Sequence, residues 1–94
     1  MQELNPAEIK KNLDELYGWF YINNAIEKEF FLKTFTDAIA FVVKVGIEAE
    51  RIEHHPTLLL HSWNKVKISL TTHDAGNVTD LDFKLAKQID EIRK

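Results

Sequence analysis

The sequence has no cysteine, one methionine, two prolines and three glycines in 94 residues. Without cysteine there is no disulfide framework and no thiolate metal site, a usage that fits a reducing compartment. Gly18, Gly46 and Gly76 stand alone, so no glycine-rich phosphate loop is present. No apolar run approaches the roughly 18 residues of a membrane-spanning helix, and the start lacks a leader pattern. Neither sign of charge dominates: 12 Lys and Arg stand against 15 Asp and Glu, a formal net charge of −3. That balance gives no electrostatic reason to expect nucleic acid or a membrane surface as a partner. A soluble cytoplasmic protein is the expectation.

What is present is a globular mixture, 45% hydrophobic and 29% charged. Residues 1–94 read as a single domain, near the lower end of the usual range of about 50–250 residues. A chain this short buries only about 60–65% of its unfolded surface, so self-association would add to a thin core.

Asn5-Pro6-Ala7-Glu8 opens a helix: Asn caps, Pro suits the first turn, and Glu8 completes a capping box. Ile9, Leu13 and Leu16 share one side, and Gly18 ends the helix near Leu16 or Tyr17. Trp19 to Ile22 and Ala25 to Leu32 then read as a hairpin around Asn23-Asn24, with Trp19 and its neighbours in core and sheet packing. From Thr34 to Glu50 the period becomes helical. Phe35, Ile39, Val42 and Gly46 form one stripe, and Ala38, Phe41, Val45 and Ala49 a second. One stripe can cover a sheet. The other needs a different partner, either a second copy of the chain or the first helix.

Pro56 to Ser62 reads as a short strand and Asn64 to Thr72 as a long one, alternating Val66, Ile68, Leu70 with Lys65, Lys67, Ser69. Asp74 to Asn77 is a turn. Thr79 caps a last helix, with Asp82 three positions on and Leu81, Leu85, Ile89 and Ile92 as its apolar stripe. The order α-β-β-α-β-β-α predicts an α+β fold with helices layered over an antiparallel sheet.

The chemistry is concentrated between Glu50 and Asp82. His54-His55 precedes Pro56, His73 ends the alternating run, and Glu50, Glu53, Asp74, Asp80 and Asp82 bracket them. Imidazole titrates near neutrality and can both give and take a proton. In a regular strand His54 and His55 would point to opposite faces, so a shared site needs an irregular backbone there. The plain alternative is three partly exposed histidines that cluster only in sequence. Zinc fits poorly, because adjacent ligands do not match the spacings of metal sites. Ser62 and Ser69 lack a nucleophile-elbow context. Trp63 reads as structural or as serving the start of its strand, and His61 as a rim or solvent residue. Glu50 and Asp82 are either helix-end residues or histidine partners.

Glu50, three residues, His54-His55-Pro56, six residues, Trp63, nine residues, His73, eight residues and Asp82 form an ordered pattern. It resembles the signature of the pterin-4a-carbinolamine dehydratases, and the likeness extends through Gly18-Trp19, Phe30–Phe35, Asn64-Lys65-Val66 and Thr72-His73-Asp74. The resemblance implies a four-stranded antiparallel sheet with three helices on one side. It implies dehydration of 4a-hydroxytetrahydrobiopterin to quinonoid dihydrobiopterin, with no metal or organic cofactor. It further implies His54, His55 and His73 as the acid/base group. Glu53, Thr72 and Asp74 join them in lining the pterin cleft, with Glu50 and Asp82 orienting histidines. A homodimer or homotetramer through the sheet edge and the central helix is implied, as is an alternative role as a coactivator-type module binding a protein through that helix.

Overall fold

The computed structural model describes residues 1–94 and places two hairpins side by side in one antiparallel sheet. The elements are α1 (Pro6–Asp14), β1 (Phe20–Ile22), β2 (Ala25–Phe31), α2 (Phe35–Arg51), β3 (Thr57–His61), β4 (Lys65–Leu70) and α3 (Asp80–Arg93). A single 3-10 turn, His73–Ala75, lies between β4 and α3. The sheet order is β1-β2-β4-β3, so the longer strands of the two hairpins meet at the centre. This is the expected α+β fold, with three helices over a four-stranded sheet. No helix is long and apolar enough to cross a membrane.

Register explains which face is covered. Ile26 pairs with Leu70, Lys28 with Ile68 and Phe30 with Val66, so alternate residues of β2 and β4 share one face. Ile26, Phe30, Val66, Ile68 and Leu70 are buried there against Ile9 of α1, Ala38, Phe41, Val45 and Ala49 of α2, and Leu85 and Ile89 of α3. The opposite face carries Glu29, Lys67 and Leu59 in one cross-strand row, all three exposed. Helices cover one face and leave the other to solvent.

The stop of α1 is tighter than the spacing predicts. Glu15 and Leu16 bond back three residues, to Asn12 and Leu13, which closes the helix at Asp14 while Leu16 still packs on the core. Trp19 is buried as expected, edge-on to Phe30 at 6.1 Å, with its Nε1 donating to Asp90 at 3.0 Å. Its neighbours Phe20, Tyr21 and Ile22 are exposed, because the three-residue edge strand has nothing over its outer face. Lys28 ties this corner together, donating to the Tyr17 carbonyl and to Asp90 at 2.8 and 2.9 Å.

In α2 the stripe Ala38, Phe41, Val45 and Ala49 covers the sheet. Phe35 and Ile39 of the other stripe are exposed, as are Val43 and Ile47 beside it. Neither α1 nor any other element covers that side.

Candidate active site

The end of α2 determines where the first histidine goes. Ala49, Glu50, Arg51 and Ile52 finish the helix, and Glu53 enters the left-handed region at φ 52°. The Glu53 amide bonds to Glu50 O and the His54 amide to Ala49 O, both at 3.1 Å. This is the paired bonding of a Schellman stop, which reverses the chain and normally employs glycine at the left-handed position. A glutamate there carries about 1–2 kcal/mol of backbone strain. The stop turns His54 inward, under the start of α3, and His55 outward.

The start of α3 supplies the partner. Thr79 is the N-cap and Asp82 closes the capping box, its Oδ2 accepting from the Thr79 amide at 2.9 Å. Thr72, just beyond β4, donates its hydroxyl to the same oxygen at 2.8 Å. The other oxygen, Oδ1, meets His54 Nε2 at 2.5 Å. Asp82 is 0% exposed. A buried carboxylate needs compensation, and here three donors converge on it at the positive end of the α3 dipole.

These contacts also set the proton on His54. Ionised Asp82 can only accept, so Nε2 carries the hydrogen in the neutral ring and Nδ1 keeps its lone pair. Nδ1 has no intramolecular partner, while Gln88 Oε1 is the sole fully buried side-chain polar atom lacking one. Nδ1 therefore keeps contact with solvent. The arrangement is an oriented imidazole with one nitrogen gripped by carboxylate and the other free to exchange a proton.

The remaining histidines are looser. His55 Nε2 lies 2.8 Å from Glu50 Oε1, in a pair whose two side chains are 67% and 78% exposed. An ion pair so exposed contributes little to stability. His73 opens the 3-10 turn with its side chain exposed, followed by exposed Asp74. The hydrogen-bonded path His54–Asp82–Thr72 brings the residue before His73 to the same end of the molecule. His54, His55, His73, Glu50, Glu53, Asp74 and Asp82 thus all belong to the segments meeting where α2 ends, β4 ends and α3 begins.

Thr72 differs from its sequence-based placement in one respect: its hydroxyl is already committed to Asp82 and to Thr79 Oγ1, at 2.8 and 2.7 Å. Thr79 is the residue that sequence reasoning assigned only to the helix cap. Its capping position, seven residues after Thr72, was the available signal. His61 ends the edge strand β3, at the rim of the sheet. It is half-buried on the outer sheet face, with Nε2 2.8 Å from Glu29 Oε2. Trp63 sits at φ 58° in the β3–β4 loop and is 61% exposed, so it is not a packing residue of this chain.

A folded layer with this histidine–carboxylate arrangement defines the class to which the sequence comparisons point. The sequence model of the family Pterin 4 alpha carbinolamine dehydratase matches residues 2–92, and the chain belongs to that family. A candidate pterin-4-alpha-carbinolamine dehydratase of Roseiflexus sp. (strain RS-1) is 53% identical over 89 residues, covering 95% of each chain. Another, from Sulfurisphaera tokodaii, is 45% identical over 92 residues, covering 98% of each. The crystal structure of a transcriptional coactivator/pterin dehydratase from Brucella melitensis superposes with a TM-score of 0.90 at 32% identity, covering 97% of this chain and 98% of that one. A pterin dehydratase-like protein described as a RuBisCO assembly factor in the alpha-carboxysome matches at TM-score 0.68 and 16% identity, covering 81% of this chain and 89% of that one. That likeness concerns the fold alone.

Proposed function

We propose that this chain dehydrates 4a-hydroxytetrahydrobiopterin to quinonoid dihydrobiopterin, recycling the pterin, with histidines as the acid and base. The observation that carries the reading is the His54–Asp82 contact, in a chain belonging to the dehydratase family. In the reaction the C4a–O bond breaks, the departing hydroxyl takes a proton and leaves as water, and N5 loses its proton as the C4a=N5 bond forms. Each transfer by a placed imidazole is worth about 10²–10⁴ in rate.

His54, held through Nε2, works through Nδ1. His55 and His73 complete the acid/base group from the solvent side, so that one ring donates while another accepts. Glu53, Asp74 and the backbone around Thr72 line the pterin cleft with them. Glu50 orients His55 as Asp82 orients His54. In this reading residues 1–94 act as a single domain in the cytoplasm, without metal or organic cofactor.

A second role rests on the exposed residues Phe35, Ile39, Val43 and Ile47. Four large apolar side chains at successive four-residue steps on one helix form a stripe suited to another helix. Self-association into a homodimer or homotetramer is the first use we assign to it. An interaction or coactivator module would use the same stripe for a different protein.

The test is the dehydration rate of synthetic 4a-hydroxytetrahydropterin with the intact chain, His54→Ala and His73→Ala. Acceleration that falls by about 10²-fold or more in each variant supports the assignment. A folded protein giving only the spontaneous rate would sink it.

A further inference from the structure

At the far end of the helical layer lies a cleft of about 270 Å³ between the first half of α2 and the last turn of α3. Leu32, Ala40, Phe41 and Ile92 form its apolar part, and Lys33, Lys44, Arg93 and Lys94 its charged part, with Asp37 as the one acid. The chain has 12 basic residues in 94, and four of them fall among the nine that line this cleft. In a protein of net charge −3 that concentration runs against the overall balance.

The charges are largely uncompensated. Of these residues only Lys94 enters an ion pair, with Glu91 at 3.1 Å. Arg93 donates through Nη2 to the Phe31 carbonyl at 2.9 Å, which fixes the guanidinium without neutralising it. Lys33 and Lys44 join none of the nine ion pairs. Among the lining side chains, three cations without an acidic partner thus stand against one carboxylate, a net of two positive charges. The α3 dipole accounts for cations at Arg93 and Lys94. It gives no reason for Lys33, in the β2–α2 link, or Lys44, midway along α2.

We propose that this cleft binds a phosphate monoester carried on a small apolar body. A phosphate monoester bears close to two negative charges near neutrality, matching the local excess, and a guanidinium held by a backbone carbonyl is preorganised for its oxygens. The volume lies just under the usual range of small-molecule pockets, about 300–1,000 Å³, which suits a single ring rather than a polymer. Ile92 lies ten residues beyond Asp82 on α3, so the cleft is about 15 Å from the histidine end. The two sites are separate.

The experiment titrates phenyl phosphate into the full chain by calorimetry at low ionic strength, with inorganic phosphate and benzyl alcohol in parallel. Single-site saturation is expected, tightest for phenyl phosphate, at least tenfold weaker in the Lys33→Gln/Lys44→Gln double variant and unchanged in Lys10→Gln, which removes one exposed cation of α1 outside the cleft. Both lysines are exposed, so the variant should fold, which its circular dichroism will verify. Absence of saturable binding, or equal binding by the double variant, overturns the site. Equal affinity for inorganic phosphate overturns the apolar half of the assignment. Cosedimentation with phosphatidic acid vesicles, lost in the double variant, would keep the phosphate chemistry and assign a lipid source. Binding confined to phenyl phosphate assigns a soluble one.

Discussion

The hydroxyls of Thr72 and Thr79 lie 2.7 Å apart, and only one arrangement of their protons serves both. Thr72 gives its proton to Asp82 Oδ2, so Thr79 must donate to Thr72 while accepting from the Leu81 amide at 3.3 Å. The resulting one-way chain ends on the carboxylate that orients His54. Such a network is strong when complete and weak when any member is missing.

Thr72→Val and Thr79→Ala should each destabilise the fold, by about 1–3 kcal/mol and about 1–2 kcal/mol respectively, for a buried partner left unpaired and a lost cap. The double variant should lose less than the sum, because both act on one chain of bonds. Urea denaturation of the four proteins measures the coupling, and strict additivity would show that the two hydroxyls act independently.

Asp82→Asn keeps the shape of the side chain and reverses its role towards His54. The amide oxygen still accepts from Thr72 and Thr79, which points the NH₂ group at Nε2 and forces the imidazole proton onto Nδ1. The protein should fold with a reduced dehydration rate, by about 10²–10⁴-fold. Nitrogen NMR of the histidine rings reads the exchanged tautomer directly. Asp82→Ala, which also leaves the donors unpaired, should cost about 3–5 kcal/mol of stability.

Glu53→Gly should stabilise the chain by about 1 kcal/mol, since glycine adopts the left-handed stop of α2 without strain. If Glu53 lines the pterin cleft, the same change should weaken substrate binding. A thermal melt beside a KM measurement checks both halves, and stabilisation with unaltered KM would remove Glu53 from the cleft.

The two tryptophans should separate in a quenching experiment, because Trp19 is 6% exposed and Trp63 61%. Acrylamide should quench one component of the emission strongly and leave the other. Trp63→Phe should abolish the accessible component. If Trp63 becomes protected at high protein concentration, its loop lies in a contact between copies.

Val43→Glu with Ile47→Glu should reduce the mass in solution without unfolding the monomer, as both side chains are exposed on α2. Light scattering at two concentrations measures this. An intact chain that is already monomeric would remove self-association as the use of that stripe.

Much of this architecture was legible because it is written in local signals. Asn5 with Glu8 and Thr79 with Asp82 form the capping boxes that their spacing predicts, and Asn23-Asn24 takes the left-handed conformation that a two-residue hairpin turn requires. The two stripes of α2 were also legible, but which of them meets the sheet was not. Both have helical period, and only the tertiary arrangement selects Ala38–Ala49 over Phe35 and Ile39. Pairings made across the sheet left no trace in sequence either: His61 and Glu29 are 32 residues apart and on strands separated by β4. Trp63 misled because aromatic residues usually pack, whereas its loop holds it outward at positive φ. At the histidine end, the partnership of His54 with Asp82 was one of two readings open to Asp82. Both hold at once.

That double duty bears on how relatives of this chain can be read. The fold needs Asp82 to begin α3, whether or not any reaction follows. A descendant that abandoned the chemistry would be under pressure to keep it, together with the imidazole that covers its charge. His55 and His73, exposed and peripheral to the core, would drift first. In a related sequence, then, an aspartate at this position testifies to ancestry and foldability, while under the acid/base assignment proposed above the fate of the two outer histidines would report whether catalysis survived.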